Sequence, residues 1–189
     1  MQIGWKMEKN RLHQQLSALD NEVFSAFCNS YQGIAWKADY KDSTDPFCGI
    51  DLQLTGTTHR EERTYDIELK SRFQKRLYND CYFEYEKWYK LIYWDNDFKL
   101  YVAIYPNCNK IAIWSVCKEL FNKSEKDIQE LPKSTARASE NVSKTVYKFK
   151  FTDGKLYDFD LTPWREQYYA IYKQIAEQKN KMEKILQQS

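Results

Sequence analysis

Polar and apolar side chains alternate in two short stretches of the sequence, residues 49–56 and residues 64–70. In the second stretch, Asp66, Glu68 and Lys70 alternate with apolar residues, as in a strand with one polar face. Side chains two residues apart point the same way, so these three charges share that face. Asp51 belongs to the polar set of the first stretch, and the short polar connection predicts an antiparallel hairpin that can set Asp51 beside Glu68.

This group of charges has the composition of a magnesium site. Neighbouring carboxylates repel each other unless a cation lies between them. Carboxylate oxygens that leave room for water are ligands that suit Mg²⁺. An adjacent lysine can orient or deprotonate a water molecule, or neutralise charge that develops on a phosphate. The residue types therefore predict metal-assisted hydrolysis of a phosphodiester bond. Asp66 either adds a ligand or pairs with Arg63 or Lys70.

Helices and further strands on both sides of the hairpin predict an α/β domain. Apolar residues at 12, 16, 19, 23 and 27 have the spacing of a helix from about Met7 to Tyr31 that packs on a sheet. Pro163 begins a long C-terminal helix, since proline is favoured in the first turn. This order of elements predicts a central mixed sheet. The other predicted elements are strands at 34–40, 99–105 and 110–116, an aromatic helix at 82–94, an irregular loop with one helical turn at 122–142, and a hairpin made by 145–151 and 155–160.

The hairpin and its neighbours resemble the PD-(D/E)XK nuclease superfamily. The signature of that superfamily is an aspartate on one strand and Glu-X-Lys on the next, here Asp51 and Glu68-Leu69-Lys70. The proline of the signature does not adjoin the aspartate, because Pro46 lies five residues before Asp51. The resemblance covers about residues 8–116. It implies the restriction-endonuclease-like fold, a three-layer core with a central mixed β-sheet flanked by helices, to which this chain adds a long C-terminal helix.

The resemblance implies a role for each signature residue. Asp51 and Glu68 would bind Mg²⁺, for which Mn²⁺ can substitute, and the backbone carbonyl of Leu69 would add a ligand. Lys70 would serve the attacking water. Many members supply a further glutamate from the preceding helix, as an auxiliary ligand or to position the water, and Glu22 is the candidate here.

Two acidic residues of the first helix compete for that last role. Glu22 lies at one edge of the apolar stripe, where it can face the cleft, and Asp20 lies near the opposite edge as the weaker rival. A glutamate on the solvent side of the helix is the ordinary alternative for Glu22.

Basic residues follow the signature directly. Lys70, Arg72, Lys75 and Arg76 have no acidic residue among them, which suits contacts with the phosphates of DNA. Lys87, in the predicted helix 82–94, is a further candidate for nucleic-acid binding. The alternatives are a solvated loop for the basic run and a solvated surface lysine at position 87.

Composition excludes several other kinds of site. The 189 residues carry a formal net charge of +2, so nucleic-acid binding must depend on a local patch. Two scattered histidines and five cysteines without close pairs do not make a zinc site, and free thiols fit a reducing cytoplasm. The sequence has no glycine-rich phosphate loop, so we expect no nucleotide cofactor. It has no long apolar run, so we expect no membrane span.

We therefore expect one domain over residues 1–189, with a core at about 8–120 and a C-terminal hairpin and helix at about 143–189. The expected activity is Mg²⁺-dependent hydrolysis of DNA by a cytoplasmic protein of a bacterium or phage. The C-terminal helix is a candidate homodimer seam. The alternatives are a nuclease-fold module that binds nucleic acid or a protein without catalysis, and an assembly protein whose acidic hairpin face is merely solvated.

Overall fold

A mixed β-sheet of six strands lies at the centre of the computed structural model, which describes residues 2–30, 35–40, 50–58, 60–92, 98–134 and 137–187. Pro46 and Gly49 of the signature region lie outside these residues. The helices are α1 (Gln2–Asn29), α2 (Tyr85–Ile92), α3 (Lys118–Lys123) and α4 (Thr162–Gln187). The strands are β1 (Ala35–Tyr40), β2 (Leu52–Thr57), β3 (Glu62–Ser71), β4 (Asp80–Glu84), β5 (Phe98–Tyr105), β6 (Lys110–Ser115), β7 (Glu125–Ser134), β8 (Arg137–Lys150) and β9 (Lys155–Asp158).

The strand order of the central sheet is β1-β2-β3-β5-β6-β9. Strands β3 and β5 are parallel, and the other neighbours are antiparallel. A second, antiparallel sheet has the order β4-β8-β7. The predicted α/β class, the mixed sheet, the hairpin of β2 and β3, and the C-terminal helix are confirmed. None of the helices in the described part of the chain is long and apolar enough to cross a membrane.

The two faces of the central sheet pack against different layers. On one face, Leu52, Ile67 and Val102 are buried against α1 and α4. On the other face, Tyr101 and Trp114 are buried against the second sheet, α2 and α3. Because side chains alternate along a strand, the even-numbered charged residues of β3 point toward this second layer.

The aromatic helix predicted at 82–94 begins later than expected. Residues 80–84 form β4, in which Cys81 and Phe83 are buried and pair with residues of β8. Only Tyr85–Ile92 is helical. Alternate burial and pairing with a distant strand outweigh the local helical preference here.

The loop predicted at 122–142 is wrong, because β7 and β8 form a long hairpin there. Its faces are polar, so it lacks the apolar alternation that marks a half-buried strand. Ion pairs join its strands instead: the ammonium of Lys148 lies 2.7 Å from Glu125 and 3.1 Å from Asp127.

The hairpin predicted between 145–151 and 155–160 is also wrong. Strand β8 pairs with β4 and β7, whereas β9 pairs with β6 in the central sheet. A short 3-10 helix, Phe151–Asp153, carries the chain from one sheet to the other. Gly154 follows it, where a Cβ atom would lie 2.6 Å from Cδ1 of Trp114 and 2.7 Å from the carbonyl oxygen of Ile113.

Helix α4 is fixed at its start by contacts with distant residues. Asn109 accepts hydrogen bonds from the backbone of Leu161 (3.1 Å) and from the guanidinium of Arg165 (2.7 Å). One turn later, the hydroxyl of the buried Tyr168 donates to Asp20 of α1 over 2.7 Å. This part of α4 therefore packs within the chain, and a homodimer through the helix stays a prediction.

We expect Gly154→Ala to lower the free energy of unfolding by about 1–3 kcal/mol, because the new methyl group overlaps the indole of Trp114 and a backbone oxygen. Urea denaturation measures the change. Thr152→Ala, at an exposed position of the same connection, is the control. Equal stability of the two variants would contradict the close approach of Gly154 to strand β6.

Candidate active site

Asp51 lies directly before β2, at the open end of the β2–β3 hairpin and next to Glu68. It directly precedes Leu52, which pairs with Ile67. The backbone N–H of Asp51 donates to the carbonyl of Ile67 (2.8 Å), and its Oδ2 accepts from the N–H of Leu69 (2.7 Å). These two hydrogen bonds bracket Glu68 and fix the orientation of the Asp51 carboxylate. The carbonyl of Leu69 points to the same edge of β3 as its N–H, because both groups of a strand residue point one way.

Glu68 is buried in the layer between β3 and α2. Its exposed fraction is 3%, and its Oε1 forms an ion pair with the ammonium of Lys87 on α2. An unpaired carboxylate at such a depth would be costly, and the ammonium of Lys87 offsets part of that cost. Lys87, predicted as a contact for nucleic acid, therefore lies against the predicted metal ligand.

Asp66, the remaining acid on this face, is fully buried. Its Oδ1 accepts a hydrogen bond of 2.8 Å from the side chain of Gln53 on β2. Arg63, which the sequence offered as a partner, instead lies 2.8 Å from Glu61. Asp66 is thus held by a neutral amide two residues away from Glu68.

Lys70 lies among carboxylates at the same end of β3. Burial lowers the pKa of its ammonium, and the nearby charge of Arg72 lowers it further. The charges of Glu84, Asp51 and Asp20 act in the opposite direction. A lysine with a lowered pKa gives up its proton more readily than a solvated one, which suits a group that serves an attacking water.

Asp20 is the acidic residue of α1 that reaches this region. Burial raises its pKa to about 7, while hydrogen bonds from Tyr168 and Ser71 oppose the rise. The charge of Asp51 raises this pKa and that of Lys70 lowers it, so Asp20 lies within electrostatic reach of both.

Glu22, the acid favoured from the sequence, has a different place. It is exposed, and its carboxylate accepts a hydrogen bond of 2.7 Å from the indole of Trp164 on α4. The structure thus brings Asp20, not Glu22, toward Asp51. The sequence does hold a signal for this: Asp20 is four residues after Leu16 and three before Val23, so it belongs to the buried stripe itself.

The basic residues that follow β3 divide into two kinds. The guanidinium of Arg72 is directed into the protein, where it donates to the carbonyl of Tyr82 (2.5 Å) and the hydroxyl of Tyr101 (2.8 Å). Its prediction as a DNA contact is corrected to a structural role, because these bonds join β3 to β4 and β5. Lys75 and Arg76 are exposed, and Arg76 lies over the ring of Tyr78 at 5.5 Å.

The donors at this site match Mg²⁺ in type. The carboxylates of Asp51 and Glu68 and the carbonyl of Leu69 are hard oxygen ligands, and water would complete the coordination. Among the described residues, no three His, Cys, Asp or Glu side chains form a group that could hold a metal ion by themselves. Glu68 would have to share or release Lys87 in order to bind the ion.

Neither a family model, nor a curated protein, nor a solved structure matches this chain. Its function is therefore inferred from the geometry of the site.

We expect Lys87→Gln to lower the free energy of unfolding by about 1–3 kcal/mol in EDTA, because it leaves the buried Glu68 without the cation that now partners it. Mg²⁺ should restore part of this loss if Glu68 is a ligand. Urea denaturation with and without Mg²⁺ measures both effects. Lys126→Gln, at an exposed position of β7, is the control, and a loss no larger than in this control would mean that the ion pair does not stabilise the fold.

Asp20 predicts a specific pH dependence of stability. Its pKa in the folded protein is about 7, above the ordinary 3.8, so the folded state holds a proton that the unfolded state releases between these values. Stability should fall as the pH rises through this window, by at most about 4 kcal/mol. Asp20→Asn keeps an oxygen for Tyr168 and should remove the fall, so that the variant is the more stable protein above pH 7.

Denaturation midpoints between pH 4 and 8 test this expectation. Glu22→Gln, an exposed change on the same helix, controls for the loss of one carboxylate. If Asp20→Asn follows the pH profile of the unmodified protein, then Asp20 does not carry the shifted proton.

Proposed function

We propose that this protein is a Mg²⁺-dependent nuclease of restriction-endonuclease-like fold that hydrolyses phosphodiester bonds of DNA. The observation that carries the proposal is the pair of hydrogen bonds by which Asp51 brackets Glu68 at the end of the hairpin. Lys70 follows two residues later on the same face. These hydrogen bonds hold Asp51 beside Glu68-Leu69-Lys70, and this proximity supports the comparison with the superfamily signature.

Each of these residues has a distinct part in hydrolysis. The N–H of Leu69 holds the Asp51 carboxylate beside β3, and the proposal takes the carboxylates of Asp51 and Glu68 and the carbonyl of Leu69 as the ligands of one ion. A bound Mg²⁺ would polarise a phosphate oxygen and lower the pKa of a water molecule. Lys70 accepts the proton of the attacking water or, as an ammonium, neutralises charge on the phosphate. Hydrolysis places hydroxide on phosphorus, breaks the P–O bond and returns a proton to the leaving oxygen.

Lys75 and Arg76 suit the approach of the nucleic acid. Both are exposed directly after the strand that carries the site, and neither forms part of the buried network around Arg72. Lysine and arginine contacts to phosphates position a strand without reading its sequence.

A module that binds nucleic acid or a protein without cutting is the second candidate. The ion pair between Lys87 and Glu68 favours it, because one carboxylate of the metal site already has a cation. The assembly-protein alternative has less support, because Asp66 and Glu68 are buried rather than solvated.

We expect the purified protein to cut labelled DNA with Mg²⁺ or Mn²⁺, but not with EDTA. Single-stranded, duplex and branched DNA are offered in parallel. Asp51→Asn and Lys70→Met should each lower the rate by at least about 100-fold, since each removes a group that acts on the reacting water or its metal.

Matched changes at exposed positions control for this loss. Asp153→Asn, in the connection between the two sheets, and Lys155→Met, at the start of β9, make the same chemical changes at exposed positions. Cutting that survives in Asp51→Asn and Lys70→Met would contradict the assignment of the site. Binding of DNA without cutting by the unmodified protein would select the second candidate.

A further inference from the structure

An open cleft of about 630 Å³ lies between α4 and the residues that follow the proposed active site. Its volume is in the range of pockets that hold small molecules, roughly 300–1,000 Å³. One wall is the end of β3 and the segment after it, and the other wall is one face of α4. The lining residues are Ser71, Arg72, Phe73, Gln74, Tyr169, Tyr172, Lys173 and Ala176.

The walls of this cleft are aromatic and held in place. The rings of Phe73 and Tyr172 stack at 4.6 Å with an interplanar angle of 16°, and Tyr169 meets Phe73 edge-on at 4.7 Å. The hydroxyls of Ser71 and Tyr172 are hydrogen-bonded at 2.9 Å. Tyr169 nevertheless keeps 52% of its surface exposed, so a planar group can still reach its ring.

The described residues that line the cleft include a cation and no acidic group. Lys173 supplies the ammonium, whereas the guanidinium of Arg72 is directed into the protein. Tyr169, Lys173 and Ala176 recur at the spacing of one helix face, so aromatic ring and ammonium point into the same space. A ligand with a planar ring and a negative charge complements these walls, and a nucleotide has both.

The cleft and the proposed active site meet at the end of β3. Lys70 and Ser71 are consecutive residues whose side chains point to opposite faces of the strand. Asp20 connects the two places, because it accepts a hydrogen bond from Ser71 and interacts electrostatically with Lys70.

We infer that the cleft holds an unpaired nucleotide of the substrate strand, with its base against Tyr169 and Phe73 and its phosphate at Lys173. This inference rests on the proposed function and adds the substrate class, which is nucleic acid with a single-stranded portion. A base inside a duplex is already stacked on its neighbours, whereas an unpaired base is free to stack on an aromatic side chain.

The test measures binding rather than cutting. Fluorescence anisotropy in EDTA compares a labelled single-stranded oligonucleotide, an oligonucleotide of the same length with abasic sites, and a duplex. We expect the base-carrying single strand to bind most tightly. Tyr169→Ala should weaken binding of this strand by about 5- to 100-fold, because the variant loses the ring on which a base stacks. The affinity for the abasic strand should not change, because that strand has no base to stack. Lys173→Ala should weaken both single strands alike.

Phe98→Ala is the matched control. Phe98 is an aromatic residue with 41% exposure, and it pairs with Tyr65 at the opposite end of β3. Because Tyr169 is half exposed, its truncation should not prevent folding, and circular dichroism checks this. Equal binding of base-carrying and abasic strands, equal effects of Tyr169→Ala and Phe98→Ala, or no binding of single strands would each overturn the inference.

Failure of the proposed nuclease activity gives a different result. If the protein binds single strands through Tyr169 but does not cut with Mg²⁺, then the cleft is a nucleic-acid site and the catalytic proposal fails. If it cuts duplex DNA and Tyr169→Ala does not change binding, then the nuclease stands and the cleft does not take part.

Discussion

Strand β3 buries charged side chains in the interior, and the surrounding elements have to compensate those charges. Asp66 and Glu68 have exposed fractions of 0% and 3%. Removal of a carboxylate from water costs several kcal/mol unless a hydrogen-bond donor or a cation replaces the solvent. Gln53 does so for Asp66 from the neighbouring strand, and Lys87 does so for Glu68 from α2. The pairing of β2 with β3 and the position of α2 are therefore parts of one electrostatic requirement.

The second sheet covers the charged face of β3 and excludes water from it, so the buried charges need partners within the protein. Strand β4 and helix α2 lie over the charged face of β3, and buried Phe83 and Leu91 pack there against the central sheet. Arg72 joins the layers, because its guanidinium donates to β4 and to β5 at once. The next basic residues along the chain, Lys75 and Arg76, are exposed instead.

The parts that the sequence predicts well are those governed by local pattern. Alternation with a period of two predicts the β2–β3 hairpin, and it also predicts that Asp66, Glu68 and Lys70 share a face. Helical spacing likewise predicts α1, and Pro163 marks the start of α4. The type of each of these elements is determined by residues that are close in sequence. Contacts with distant residues change only where the element begins and ends.

The parts that fail depend on distant partners. Strand β7 has no apolar alternation, and its pairing with β8 draws on ion pairs such as that of Lys148 with Glu125, which no local window contains. Residues 80–84 become a strand because Phe83 packs beside Phe149, with ring centroids 5.2 Å apart. Which acid of α1 faces the site also depends on α4. Tyr168 of α4 donates a hydrogen bond to Asp20, and Trp164 donates one to Glu22.

Burial of so many charges argues that they have a use beyond stability. Apolar side chains of similar volume at a buried ion pair usually leave a protein as stable or more stable. Yet Asp20 and Lys70 lie within electrostatic reach of each other at the end of β3, where burial raises the pKa of Asp20 to about 7 and lowers that of Lys70. Shifted acids and bases that converge beside an open cleft are typical of sites that bind or transform a ligand. A fold that needed only a core would place Leu or Val at these positions, as it does at Leu69 and Val102 on the opposite face of the same sheet.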